Sequence, residues 1–227
     1  MQSQHMRSVW DIVDRGEPFP WSFKGQKQEK LVSILRRQYL DGAEAANQLK
    51  GDDYAKINKE LRRIVSPIFR QCNKELKLEL GAWVIHDWGG IRRLKLDVIN
   101  QWIDCLSDFD DKRICEFIEK SGNNRISSWS KLLSFFDPEK YAIYDSRTAF
   151  AFNFALSELG DDRRFIIPAS QNKSLRRSIS NYQYSKAAHK KLGYCDYLEF
   201  LRASPCCDIL SAEMMLFSNA PKLVKSN

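Results

Sequence analysis

Residues 114–152 read ICEFIEKSGNNRISSWSKLLSFFDPEKYAIYDSRTAFAF, and the fold turns on this stretch. Ile114, Phe117 and Ile118 form an apolar stripe at helical spacing. Ser121, Gly122, Asn123 and Asn124 interrupt it with turn chemistry. Ser127 or Ser128 is placed to cap a second helix. Its apolar face is Trp129, Leu132, Leu133 and Phe136. Asp137-Pro138 stops that helix, because the residue before a proline is pushed out of the α region. Tyr141-Ala142-Ile143-Tyr144 is a short apolar run that leads to Asp145, and a third helix carrying Thr148, Ala149, Phe150 and Phe152 follows.

Asp145 is the leading candidate for chemistry. A carboxylate at a helix N-terminus is favoured in its ionised form by the dipole and the free amides. That suits a base, or an anion opposing a developing positive charge. An ordinary N-capping aspartate fits the same pattern.

Helix, polar hairpin, helix, proline-marked corner and Asp145 together resemble the helix-hairpin-helix DNA glycosylases. The wording around Ser127-Ser128-Trp129-Ser130-Lys131 and Tyr144-Asp145-Ser146-Arg147 is most similar to the bacterial 8-oxoguanine-glycosylase-fold proteins found beside antiphage defence genes. The resemblance covers the central stretch firmly and the C-terminal third loosely. It implies cleavage of an N-glycosidic bond on a flipped, damaged or modified base, with Asp145 as the catalytic carboxylate. Near the start of the second helix the bifunctional members carry a lysine nucleophile, and adenine-type monofunctional members a small hydroxyl residue; Ser127 matches the second pattern. Lys131 lies one turn further on, as a displaced Schiff-base nucleophile, a phosphate contact or a solvated lysine. The family hairpin usually has two glycines; here Gly122 is followed by Asn123, Asn124 and Arg125, and Asn tolerates the left-handed backbone a tight turn needs. The resemblance makes these three residues anchors of the DNA backbone. Some proteins of this fold carry an iron–sulfur cluster on four C-terminal cysteines, but only Cys195, Cys206 and Cys207 stand there, at other spacing, so no cofactor is expected.

Composition agrees with a polyanionic partner. The net charge is +7 and the pI about 9.1. Between Arg163 and Lys191 there are eight Lys or Arg and no Asp or Glu, with Tyr182, Tyr184 and His189 interleaved. Such a segment, Arg176 and Arg177 included, is either a surface that tracks phosphates and stacks on bases or a solvated, highly charged loop. Trp88, beside Gly89, Gly90, Arg92 and Arg93, is either the wall of a base pocket or a core residue beside a turn. No run approaches the ~18 apolar residues of a membrane span. Scattered cysteines and the lack of a signal-peptide pattern point to a reducing cytoplasm. A monomer acting on DNA, with defence-system proteins as further partners, is the expected assembly.

The remaining chain reads as mainly α, with roughly nine to eleven helices in two packed subdomains and a cleft between them. Residues 1–25 are expected to form an irregular arm, 26–110 a helical subdomain and 111–227 the helix-hairpin-helix subdomain. Asp52 is expected to cap a helix that runs to about Cys72, kinked or ended by Pro67. Residues 76–88 are ambiguous: Leu76, Leu78 and Leu80 alternate as a strand would, Trp83, Val84 and Ile85 run on without a break, and helix or irregular chain is the preferred reading. Glu213, among apolar neighbours, is expected to be structural, with Arg147 as one candidate ion-pair partner.

Overall fold

A computed structural model describes residues 2–14, 25–51, 53–106, 111–120, 125–169, 190–206 and 208–223. The chain is mainly helical. Its elements are α1 (Gln2–Val13), α2 (Gln26–Arg36), α3 (Leu40–Gln48), α4 (Tyr54–Gln71), α5 (Lys74–Ala82), a π-helical segment (Trp83–Trp88), α6 (Leu96–Leu106), α7 (Asp111–Lys120), α8 (Ile126–Phe136), α9 (Ser146–Glu158), β1 (Arg163–Phe165), β2 (Lys190–Leu192), α10 (Tyr194–Arg202) and α11 (Ile209–Leu223). Among the described residues no helix is long and apolar enough to cross a membrane.

The contacts divide the chain into two compact units. Unit 1 is Met1–Phe19, Cys115–Ser127 and Ala142–Asn227; unit 2 is Pro20–Ile114 and Ser128–Tyr141. The chain therefore passes from one unit to the other within α7 and again within α8.

Unit 1 is built around α9. Ten of its residues, from Ser146 to Leu156, are buried on every face, as expected of a central helix rather than an amphipathic surface one. The N-terminal residues form α1 where an irregular arm was expected. Val9, Trp10, Ile12 and Val13 are buried, Trp10 meets Phe152 edge-on at 5.3 Å, and Asn219 donates to the Val13 carbonyl at 2.8 Å. Two short strands, not anticipated from the sequence, pair in parallel with Arg163 opposite Lys190 and Phe165 opposite Leu192. Asn153 of α9 holds β1 by exchanging two bonds with Phe165, donating to its carbonyl at 2.9 Å and accepting from its amide at 2.7 Å. Cys195 is disulfide-bonded, which the expectation of a reducing cytoplasm did not foresee, whereas Cys72, Cys105 and Cys206 are not.

Unit 2 contains α2 to α6 and most of α8. Asp53, not Asp52, caps α4, accepting from the Lys56 amide at 2.9 Å. Pro67 does not end this helix, which continues to Gln71. Pro67 is exposed, so the carbonyl it leaves without a donor is on the solvent side. The ambiguous segment is α5, running straight into the π turn. There Gly89 N–H bonds to Val84 O and Ile91 N–H to Ile85 O, both at 2.9 Å. Ser127 and Ser128 are not caps, because α8 begins one residue earlier at Ile126.

Candidate functional site

Asp145 caps α9. Its Oδ1 accepts from the Arg147 amide at 2.8 Å and the Thr148 amide at 3.2 Å. In return the Asp145 amide donates to Thr148 Oγ1 at 3.1 Å, which completes a capping box. Among the described residues Oδ2 has no hydrogen-bond partner, and the side chain is half-exposed. One oxygen is thus fixed and the other is open.

The three residues before Asp145 are buried and leave backbone groups that no strand or helix satisfies. Side chains from α10 and α11 supply bonds to this backbone. Tyr194 Oη donates to Ala142 O and Tyr197 Oη to Ile143 O, each at 2.9 Å. The Ile143 amide donates to Glu213 Oε2 at 2.8 Å. Tyr144 Oη donates to Ile166 O at 2.5 Å. Glu213 is fully buried and acts as this backbone acceptor, which agrees with a structural role. Burial, reinforced by the negative charge of Glu213, holds the Tyr197 phenol well above the ordinary tyrosine range; a bond with the Thr148 side chain opposes the shift. Tyr197 therefore connects the corner to the capping box. The Arg147 guanidinium lies 4.5 Å from the centre of the Phe217 ring, and the residue is half-exposed.

The segment Cys115–Ser127 belongs to the same unit as Asp145. Asn123 and Asn124 lie outside the described residues, as do Arg176 and Arg177. Arg125 is exposed and left-handed, with φ 67°, immediately before α8. At the edges of the basic segment, Arg163 is committed to Asp161, donating to both of its carboxylate oxygens at 2.7–3.1 Å. Arg164 is buried and donates to the Asp161 and Arg163 carbonyls. These two arginines are structural, while Lys190 and Lys191 are exposed.

Lys131 and Trp88 belong to unit 2. Lys131 is only 9% exposed. Gly89 makes room for its stem: a Cβ there would come within 3.0 Å of Lys131 Cδ and 2.9 Å of the Val84 and Ile85 carbonyl oxygens. Trp88 takes the core alternative. It is buried, meets Phe135 edge-on at 4.9 Å, and lies under the buried Arg62 guanidinium at 5.8 Å. The sequence reading overlooked Lys27. Burial lowers its ammonium below the ordinary lysine range, with Asp87 opposing and Arg92 reinforcing the shift. Its Nζ donates to Trp88 O at 3.3 Å and its carbonyl accepts from Trp83 Nε1 at 2.8 Å. Nothing in the local pattern of a charged helix start announces this, because the burial comes from the distant π segment.

Among the described residues no three His, Cys, Asp or Glu side chains converge as metal ligands. Compared with known proteins, the chain matches no family profile, no curated protein and no solved structure.

Proposed function

We propose that the chain is a DNA glycosylase-like enzyme that cleaves the N-glycosidic bond of a flipped, damaged or modified base. One observation carries the reading: Asp145 presents a carboxylate with one oxygen fixed by helix amides and one open, on a corner whose backbone is held by buried side chains. Such rigidity is what electrostatic stabilisation of a cationic transition state requires. In this scheme Asp145 opposes the oxocarbenium-like sugar as the base leaves, or takes a proton from the attacking water. The hairpin between α7 and α8, with Asn123, Asn124 and the left-handed Arg125, grips the DNA backbone, and Arg147, Arg176 and Arg177 add phosphate contacts. Lys131 is the amine to test for a Schiff-base step and strand cleavage. The net charge of +7 supports a nucleic-acid partner. The similarity to defence-associated proteins makes modified phage DNA a substrate class to test beside damaged host DNA.

The capping box favours a second reading, in which Asp145 is structural and the chain is a nucleic-acid-binding module without turnover, alone or as a component of a defence complex. Asp145→Asn separates the two, since Asn caps a helix about as well as Asp. An enzyme loses on the order of 10²-fold or more in rate while folding and DNA binding persist. Borohydride trapping on oligonucleotides carrying damaged or phage-type bases, with hot alkali in parallel, supplies the assay. A trapped adduct lost in Lys131→Gln but retained in Lys27→Gln identifies the amine. Alkali-dependent cleavage without trapping indicates a monofunctional enzyme resting on Asp145. Intact binding with neither signal across the panel overturns the enzyme reading.

A further inference from the structure

Unit 1 contains a cavity of about 710 Å³, lined from α1, the strand pair and α10. The volume lies in the range of small-molecule sites. Its charged groups divide into committed and uncommitted ones. Arg163 is held by Asp161 and packs 5.3 Å from the centre of the buried Phe200 ring. Asp196 has one oxygen on the Gly193 amide at 2.7 Å. Arg7 and Lys190, by contrast, are exposed cations with no ion pair among the described residues, and Glu199 is an exposed carboxylate in the same condition.

We propose that this cavity binds a nucleoside monophosphate, either free or as the phosphorylated end of a strand. Arg7 and Lys190 take the phosphate as charge-assisted donors. The Arg163 guanidinium, kept planar and in place by Asp161, is the surface on which the base stacks. Glu199 accepts from the amino edge of the base. The two uncommitted cations set the preference for an anion, and the single uncommitted carboxylate sets the preference for a base that bears N–H donors. Nothing in this site depends on Asp145, so it stands or falls separately from the glycosylase reading.

The test is calorimetric titration of the full chain with dGMP, deoxyguanosine and inorganic phosphate, together with a short oligonucleotide bearing either a 5′-phosphate or a 5′-hydroxyl. The expected result is saturable binding of dGMP, stronger than either half alone, and weakened at least roughly tenfold in the Arg7→Gln/Lys190→Gln double variant. A phosphorylated oligonucleotide that competes with dGMP identifies a strand end as the source. One that does not compete identifies the free nucleotide. Absence of saturable binding by both dGMP and the phosphorylated strand, or equal binding by the double variant, overturns the proposal.

Discussion

The corner at residues 142–145 and the aromatic cluster around Phe135 solve opposite problems. At the corner, extended backbone is buried without a ladder, and three side chains, Tyr194, Tyr197 and Glu213, make directed hydrogen bonds to it. The Phe135 ring itself makes no hydrogen bond; Trp83 at 6.0 Å, Trp88 at 4.9 Å and Arg62 at 5.7 Å pack about it, and it is fully buried. Directed bonds fix position at modest net energy, whereas buried apolar area supplies most stability and little positional information. The comparison therefore teaches where to look for each property: the Phe135 cluster for stability from buried apolar area, and the corner of unit 1 for position.

The largest expected effect tests the packing half. Phe135→Ala removes a fully buried ring and should cost about 3–5 kcal/mol, read as a lower midpoint in urea denaturation. A loss below about 1 kcal/mol would mean that the cluster collapses onto the void, and the contrast would fail.

Next comes Tyr197→Phe, which preserves shape and deletes one hydroxyl. It leaves the Ile143 carbonyl without its donor, at a cost of about 1–3 kcal/mol. The same residue governs a pH limb. Its folded pKa is raised above the unfolded one, so the folded state holds the proton longer. Its contribution is fully present below the ordinary tyrosine value of 10.0 and is lost as pH rises beyond it. Thermal melts across the alkaline range should show that decline in the wild type and less of it in Tyr197→Phe. An unchanged slope would assign the limb to other tyrosines.

Asp145 gives a smaller stability effect and a sharper comparison. Asp145→Ala should cost about 1 kcal/mol as a lost cap, and Asp145→Asn only a few tenths. If both variants melt alike, the capping box does not order the corner and the positional role assigned to it is wrong.

How much of this was legible follows the same division. The α9 start at Asp145, its stop before Gly160 and the span of α10 were readable because caps, glycine and helical periodicity are local signals. The α1 stripe of Val9, Ile12 and Val13 was also there to be read, but the prolines just after it drew the interpretation toward an arm. The strand pair was not readable. Three residues carry no alternation, and their partners lie beyond a long basic segment. The same holds for the π turn, whose bonds skip the α register and leave no helical period. For the candidate site, Asp145 could be singled out from sequence, yet none of its supports could, because Tyr194, Tyr197 and Glu213 reach it from distant helices. The burial of Lys131 was equally hidden, since it depends on α8 being covered on nearly every face rather than on one stripe.

The smallest expected effect has the opposite sign. Arg125 holds φ 67° without being glycine, a conformation that costs an L-residue roughly 1–2 kcal/mol. Arg125→Gly removes that cost and returns part of it as unfolded-chain entropy, for a net gain of about 0.5–1 kcal/mol in stability. If Arg125 were only the end of a turn, the variant would be more stable and otherwise unchanged. If the hairpin grips DNA, the more stable protein should bind DNA more weakly, with the slope of log affinity against log salt reduced by about one and no change in sequence preference. Stability rising while affinity falls would show that a strained residue is kept in place for its charge, and it would bring the hairpin into line with the corner: a backbone position held at a cost, for what its side chain can reach.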